Sequence, residues 1–237
     1  MITFKHVAAA AVSVLLTAGV ATAGSIKVTE FDINDFNLAV SNNPFVVEDF
    51  EDITDTPGIL SGALNTDVGT FDSLGGAGSG STCTESGGSP NCEFLSLFDT
   101  NPNGQGNLVP DDGVWSLNSN DTFGIIWDVV APFGDFNRVV FGMMDAADQG
   151  ATVTVTSADI ADTAVFQSQT NGNAKLIVID FAAKVGSARI TIDNGERLND
   201  AFSVDGASVG VVPLPAAGWM LLAGITGLAA MRRRRKA

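Results

Sequence analysis

The chain is predicted to be all-β: a single β-sandwich, jelly-roll or lectin-like, flanked by an N-terminal signal helix and a C-terminal transmembrane helix. Three observations predict this. Short apolar or alternating runs recur along residues 24–211, separated by Gly, Asn, Asp and Pro clusters, which is the spacing of a sandwich or barrel. Helical periodicity over a useful length occurs only at the two hydrophobic ends. No internal repeat is present, which argues against a solenoid or propeller.

Residues 1–23 come first. Lys5 supplies a basic start, Val7 to Leu16 an apolar stretch, and Ala21-Thr22-Ala23 a small-residue cleavage site. That is a secretory signal peptide, cut between Ala23 and Gly24. His6, the only histidine of the chain, leaves with it.

The body, residues 24–211, fits one domain. Its expected strands are Ile26–Phe31, Phe45–Phe50, Val68–Phe71, Glu93–Phe98, Val114–Leu117 and Phe123–Val130, then Val139–Met144, Ala151–Thr156, Val165–Ser168, Leu176–Phe181, Ala188–Ile192 and Phe202–Val209. Ala151–Thr156 (A-T-V-T-V-T) alternates most clearly, as a half-buried strand should. Phe123–Val130 is almost continuously apolar and predicts a central strand buried on both faces. Between them, Asn101-Pro102-Asn103-Gly104, Pro110-Asp111-Asp112-Gly113 and Asn171-Gly172-Asn173 are turn-forming clusters. Cys83 and Cys92 flank a Gly- and Ser-rich stretch. In an exported chain they predict a disulfide, contributing on the order of 2–3 kcal/mol.

Charge is segregated. The chain carries 12 Lys and Arg against 27 Asp and Glu, a net −15. Lys5 and the block Arg232-Arg233-Arg234-Arg235-Lys236 lie outside the body, whereas every acid lies within it. So acidic a body excludes nucleic acid as a partner, because phosphate binding needs a basic surface. Two readings of the acidity stand: solubility, or oxygen ligands for Ca²⁺. The calcium candidates are Asp145 and Asp148, in Asp145-x-x-Asp148-x-Gly150, with Asp200 and Asp205 on either side of the last strand. None fits an EF-hand, and turn geometry accounts for the same residues.

Absences narrow the chemistry. A body without histidine has no Ser-His-Asp triad, no Cys-His pair and no H-E-x-x-H zinc motif. No Walker A run is present, and Gly75-Gly76-Ala77-Gly78-Ser79-Gly80 lacks the βαβ context of a phosphate site. A pair of carboxylates could still run a glycoside hydrolase. Trp127 lies in an apolar run and reads as core, while Trp115 follows Asp111-Asp112-Gly113 and could line a sugar-binding surface.

The terminus has three parts. Val212-Pro213-Leu214-Pro215-Ala216 is held extended by its prolines. Ala216–Met231 is uncharged; its sixteen residues span about 24 Å as a helix, against a hydrocarbon core of about 30 Å. Arg232 to Lys236 then set topology, keeping the basic end in the cytoplasm and the body outside.

This order of motif, apolar helix and Arg-Arg-Arg-Arg-Lys-Ala resembles the VPLPA variant of the PEP-CTERM sorting signals, found on exported proteins of Gram-negative bacteria. The resemblance implies recognition by an exosortase, a membrane-embedded cysteine transpeptidase that cuts near the Pro-containing motif. The chain is then transiently membrane-anchored, and later at the cell surface or extracellular. Shorter stretches, among them Val47-Glu48-Asp49-Phe50-Glu51 and Asn199-Asp200-Ala201-Phe202-Ser203-Val204-Asp205, resemble others in the bodies of such proteins. They imply a lectin-like sandwich with no assigned activity. The expectation is a non-enzymatic surface or matrix protein that binds polysaccharide, with a carboxylate-dependent glycoside hydrolase as the alternative.

Overall fold

Apolar residues at every second position, in strands too short to be stable alone, must bury one face against a second sheet. In a computed structural model they do so. The structure describes residues 25–41, 43–53, 58–75, 93–99, 105–106, 109, 113–120, 122–146, 150–158, 160–166, 172–194 and 201–213. Cys83, Cys92, Ala23, Gly24 and the segment 214–237 lie outside these residues, so the signal cleavage, the disulfide and the apolar helix do too. Among the described residues no helix is long and apolar enough to cross a membrane.

In chain order the strands begin with β1 (Ile26–Phe31), β2 (Phe45–Glu48), β3 (Gly58–Ile59), β4 (Leu64–Thr66), β5 (Gly69–Ser73), β6 (Ser96–Phe98) and β7 (Ser116–Asn118). They continue with β8 (Gly124–Val129), β9 (Phe136–Met144), β10 (Ala151–Ser157), β11 (Ile160–Phe166), β12 (Ala174–Val185), β13 (Ala188–Asp193) and β14 (Ser203–Gly210). An eight-stranded sheet runs β1-β12-β9-β14-β7-β6-β3, with β2 also on β14; a six-stranded sheet runs β11-β10-β13-β8-β5-β4. Every pairing is antiparallel. The all-β, two-sheet expectation holds.

The core lies between the sheets. Phe71 stacks on Trp127 with centroids 4.9 Å apart, and Trp127 meets Phe141 of the opposite sheet edge-on at 6.0 Å. The Trp127 indole N–H donates to the Val68 carbonyl at 3.0 Å, so this buried ring carries no orphaned donor. Trp127 is core, as its sequence setting predicts.

Four expectations need correction. The strand placed at Val165–Ser168 is β11, and it begins five residues earlier at Ile160. The strand placed at Phe45–Phe50 stops at Glu48, because Phe50 turns to φ 61°. Phe123–Val130 is central in its sheet as β8 but is buried on one face only: Asp128 is exposed and Ile126 half-buried. The strands buried on both faces are in the other sheet, where Leu176, Ile177, Val178 and Ile179 of β12 are all covered. Their outer cover is a 3₁₀ turn at Ile33–Asp35 and the short helix α1 (Phe36–Val40), a helix no periodicity predicts. Phe36 and Val109 pack there on Val140, Leu176 and Val178.

β14 shows how polar residues enter that layer. Its register on β9 jumps between Asp205↔Gly142 and Ser208↔Val140, which inserts one extra residue. Gly206, at φ 57°, forms the resulting bulge. The bulge resets the alternation, so Val204 before it and Ala207 and Val209 after it all face the core.

Candidate functional site

Three places on this frame carry chemistry. One is the layer outside the eight-stranded sheet. Asp205, fully buried in β14, accepts from the Val109 N–H at 2.9 Å and from the Gly206 N–H at 2.8 Å. Asp145 closes β9 at φ 71°, and its carboxylate accepts from the Gly172 N–H and from Gln105 Nε2 at 3.3 Å. Gln105 Oε1 in turn accepts from Asn118 Nδ2 at 2.9 Å. Both carboxylates therefore fasten crossing segments to the sheet.

Asp205 is the ladder partner of Gly142, three residues before Asp145, so about 10 Å of strand separates the two acids. Asp148 and Asp200, the other calcium candidates, lie outside the described residues. Among the described residues no three His, Cys, Asp or Glu gather as a metal site would require.

The second place is the acidic turn after β2. Glu48 is buried opposite Ala207 of β14, and its Oε1 accepts from the Phe50 N–H at 2.8 Å. Burial pushes the Glu48 carboxyl up to about 7; the Phe50 N–H opposes this, while Asp52, Asp49 and Asp67 add to it. Phe50 holds its left-handed backbone because its ring is fully buried edge-on to Phe71. Glu51 accepts from the backbone N–H groups of Val114 and Trp115, the latter at 2.7 Å. Trp115 is half-buried against the main core, so a part of it remains on the surface.

The third place is where the chain leaves the body. β14 ends at Gly210, and Val211, Val212 and Pro213 continue without strand structure. Pro213 has no N–H to extend the ladder. The buried carboxamide of Asn137 takes over, with Oδ1 accepting from the Val212 N–H at 2.7 Å and Nδ2 donating to the Val212 carbonyl at 2.9 Å. Of the residues expected to form a sorting motif, Val212 and Pro213 are thus placed. Leu214, Pro215, Ala216 and the cations Arg232, Arg233, Arg234, Arg235 and Lys236 lie outside the described residues.

Sequence reading missed Glu48 and Asn137. Glu48 could have been flagged as the one charge in the run F-V-V-E; nothing in the sequence marks Asn137.

No family model matches the chain, and no curated protein does. Ten chains of solved structures are similar to it, three of which follow. Arabinose-bound MgGH51 α-L-arabinofuranosidase is 11% identical at a TM-score of 0.33, over 49% of this chain and 22% of that one. CBM27-1 of Caldicellulosiruptor saccharolyticus, in complex with mannohexaose, is 13% identical at 0.36, over 70% and 96%. TmCBM61 in complex with β-1,4-galactotriose is 11% identical at 0.19, over 47% and 81%. This chain spans about a fifth of the arabinofuranosidase.

Proposed function

We propose that the chain is an exported, non-enzymatic protein of the cell surface or extracellular matrix. It is a lectin-like sandwich, processed by an exosortase at Val212–Ala216, and binds polysaccharide. The junction at Val212 carries this reading. The last described strand ends at Gly210 and the chain is fastened at Val212, and the prolyl motif, apolar run and basic block follow in the sequence with no linker. A terminus so arranged presents an extended motif beside a membrane, which is what a membrane-embedded transpeptidase needs. Deleting Pro213–Ala237 should release a folded body to the medium without membrane retention. A body that unfolds on deletion would show the tail to be a core element and sink the sorting reading.

Polysaccharide binding rests on the partly exposed Trp115, held by Glu51 beside the acidic turn. A glycan array with and without Ca²⁺ tests it, binding without turnover being the expected result. Calcium as a cofactor predicts a rise in melting temperature at millimolar Ca²⁺, and no shift counts against Asp145, Asp148, Asp200 and Asp205 together. The hydrolase alternative draws on Glu48, whose raised carboxyl stands among other acids as a general acid does. Release of reducing ends that is lost in Glu48→Gln would favour it over the binding reading.

A further inference from the structure

The strands run lengthwise, so each residue can be assigned to one end of the sandwich. The end at which Val212 leaves also holds the start of β1, the β8–β9 hairpin and the β12–β13 turn. Of the described cations, Lys27, Arg138, Lys184 and Arg189 stand in this half, and Lys175 alone in the other. Arg138 pairs with Asp180 and Arg189 with Asp128, which leaves Lys27 and Lys184 outside the described ion pairs. Asp67, Asp135 and Asp162 outnumber them by one, so this end is acidic too, but it holds four of the five described cations. The opposite half holds Glu30, Asp72, Asp145, Asp193 and Asp205 with Lys175 as its described cation.

The same end carries an apolar tip. Val130-Ala131-Pro132-Phe133 links β8 to β9 in a turn closed by the Gly134 N–H on the Ala131 carbonyl at 3.0 Å. Val130 is 47% and Phe133 45% exposed. Such a turn needs no aromatic residue at its tip, and an exposed Phe beside a Pro loses free energy in water that burial would recover. From this tip β9 leads directly to Asn137 and its hold on Val212.

We propose that this end lies on the bilayer that the tail enters, with Phe133 and Val130 in the interfacial layer and Lys27 and Lys184 over anionic headgroups. The inference rests on the membrane reading of the tail. It adds which face of the body meets the lipid and what holds it there. An anionic surface repels the half with Lys175 as its described cation more strongly than the one with four, and the apolar tip then finds the headgroup boundary.

The test uses the full chain in lipid nanodiscs, with a photo-crosslinking amino acid placed at Phe133 or, as a control in the opposite half, at the exposed Val165. Lipid adducts are expected at position 133 and not at 165. On discs of anionic phospholipid, Lys27→Gln and Lys184→Gln should each lower the docked fraction roughly fivefold, with little effect on zwitterionic discs. Equal adducts at 133 and 165 would overturn the docking while leaving the tail reading intact. Adducts at 133 that form only with a protein, when the processing enzyme is added, would overturn it in favour of an enzyme-facing surface. A chain that does not enter the discs overturns the tail reading and this inference together.

Discussion

The outer faces of the two sheets are made of opposite materials. On the six-stranded sheet Thr152, Thr154, Thr156 and Thr191 stand half-exposed beside Arg189 and Asp128, whose bidentate pair is open to water. On the eight-stranded sheet Val140, Leu176 and Val178 lie under Phe36 and Val109, and Asp205 holds that cover down. One sheet has a single buried face and the other has two. Polar residues on the first are solvated and replaceable, whereas on the second the buried Asp205 is committed to the N–H groups of Val109 and Gly206.

The contrast can be broken most strongly at Gly206. A Cβ there would stand 2.5 Å from the Val109 carbonyl oxygen and 3.0 Å from Phe36, at φ +57°. Gly206→Ala should therefore cost about 2–4 kcal/mol, from a left-handed backbone and an overpacked cover together. The loss would appear as a lowered urea midpoint. An unchanged midpoint would mean that the cover is loose.

Glu48 gives the next largest effect, at the edge of the same sheet. Its folded carboxyl sits near 7 against an ordinary 4.5, so the fold favours the neutral form. Its contribution is complete below about pH 4.5 and is lost as pH rises through 7, on the order of 2 kcal/mol once solvent screening is allowed for. Melts of wild type and Glu48→Gln across pH 4 to 8 check this. The difference between them should widen in favour of the variant as pH rises.

On the open face the Thr154 hydroxyl is 3.3 Å from that of Thr163, with Thr191 on its other side. Thr154→Ala should leave stability within about 0.5 kcal/mol. A larger loss would mean that the threonine face is covered by something in the assembled protein.

The same contrast explains what the sequence revealed. In the six-stranded sheet A-T-V-T-V-T and A-R-I-T-I alternate because water lies on one side, and both strands form where alternation places them. In the eight-stranded sheet that rule has no purchase. β14 reads S-V-D-G-A-S-V-G, which looks mostly polar, yet every residue of it is buried. Its one acid, Asp205, faces a cover made by distant segments, and the bulge at Gly206 shifts the period midway. α1 was hidden because five residues are too few to show a helical period. The site followed the same division. Asp145 and Asp205 were visible as acids near turns, but their work of holding Gln105 and Val109 depends on segments far away in the chain. Asn137 is an ordinary amide until the exit of the chain is placed beside it.

The position of β14 also sets an order of events. β1 waits for β12, since Ile26 pairs with Phe181. β9 and β7 are joined only through β14, the last of the described strands in chain order. Contacts so distant in the chain delay closure of the eight-stranded sheet, whereas the six-stranded one, between residues 64 and 193, pairs without β14. The larger sheet locks only when the strand adjoining Val212 has been made, so the six-stranded sheet can form first and wait for its partner.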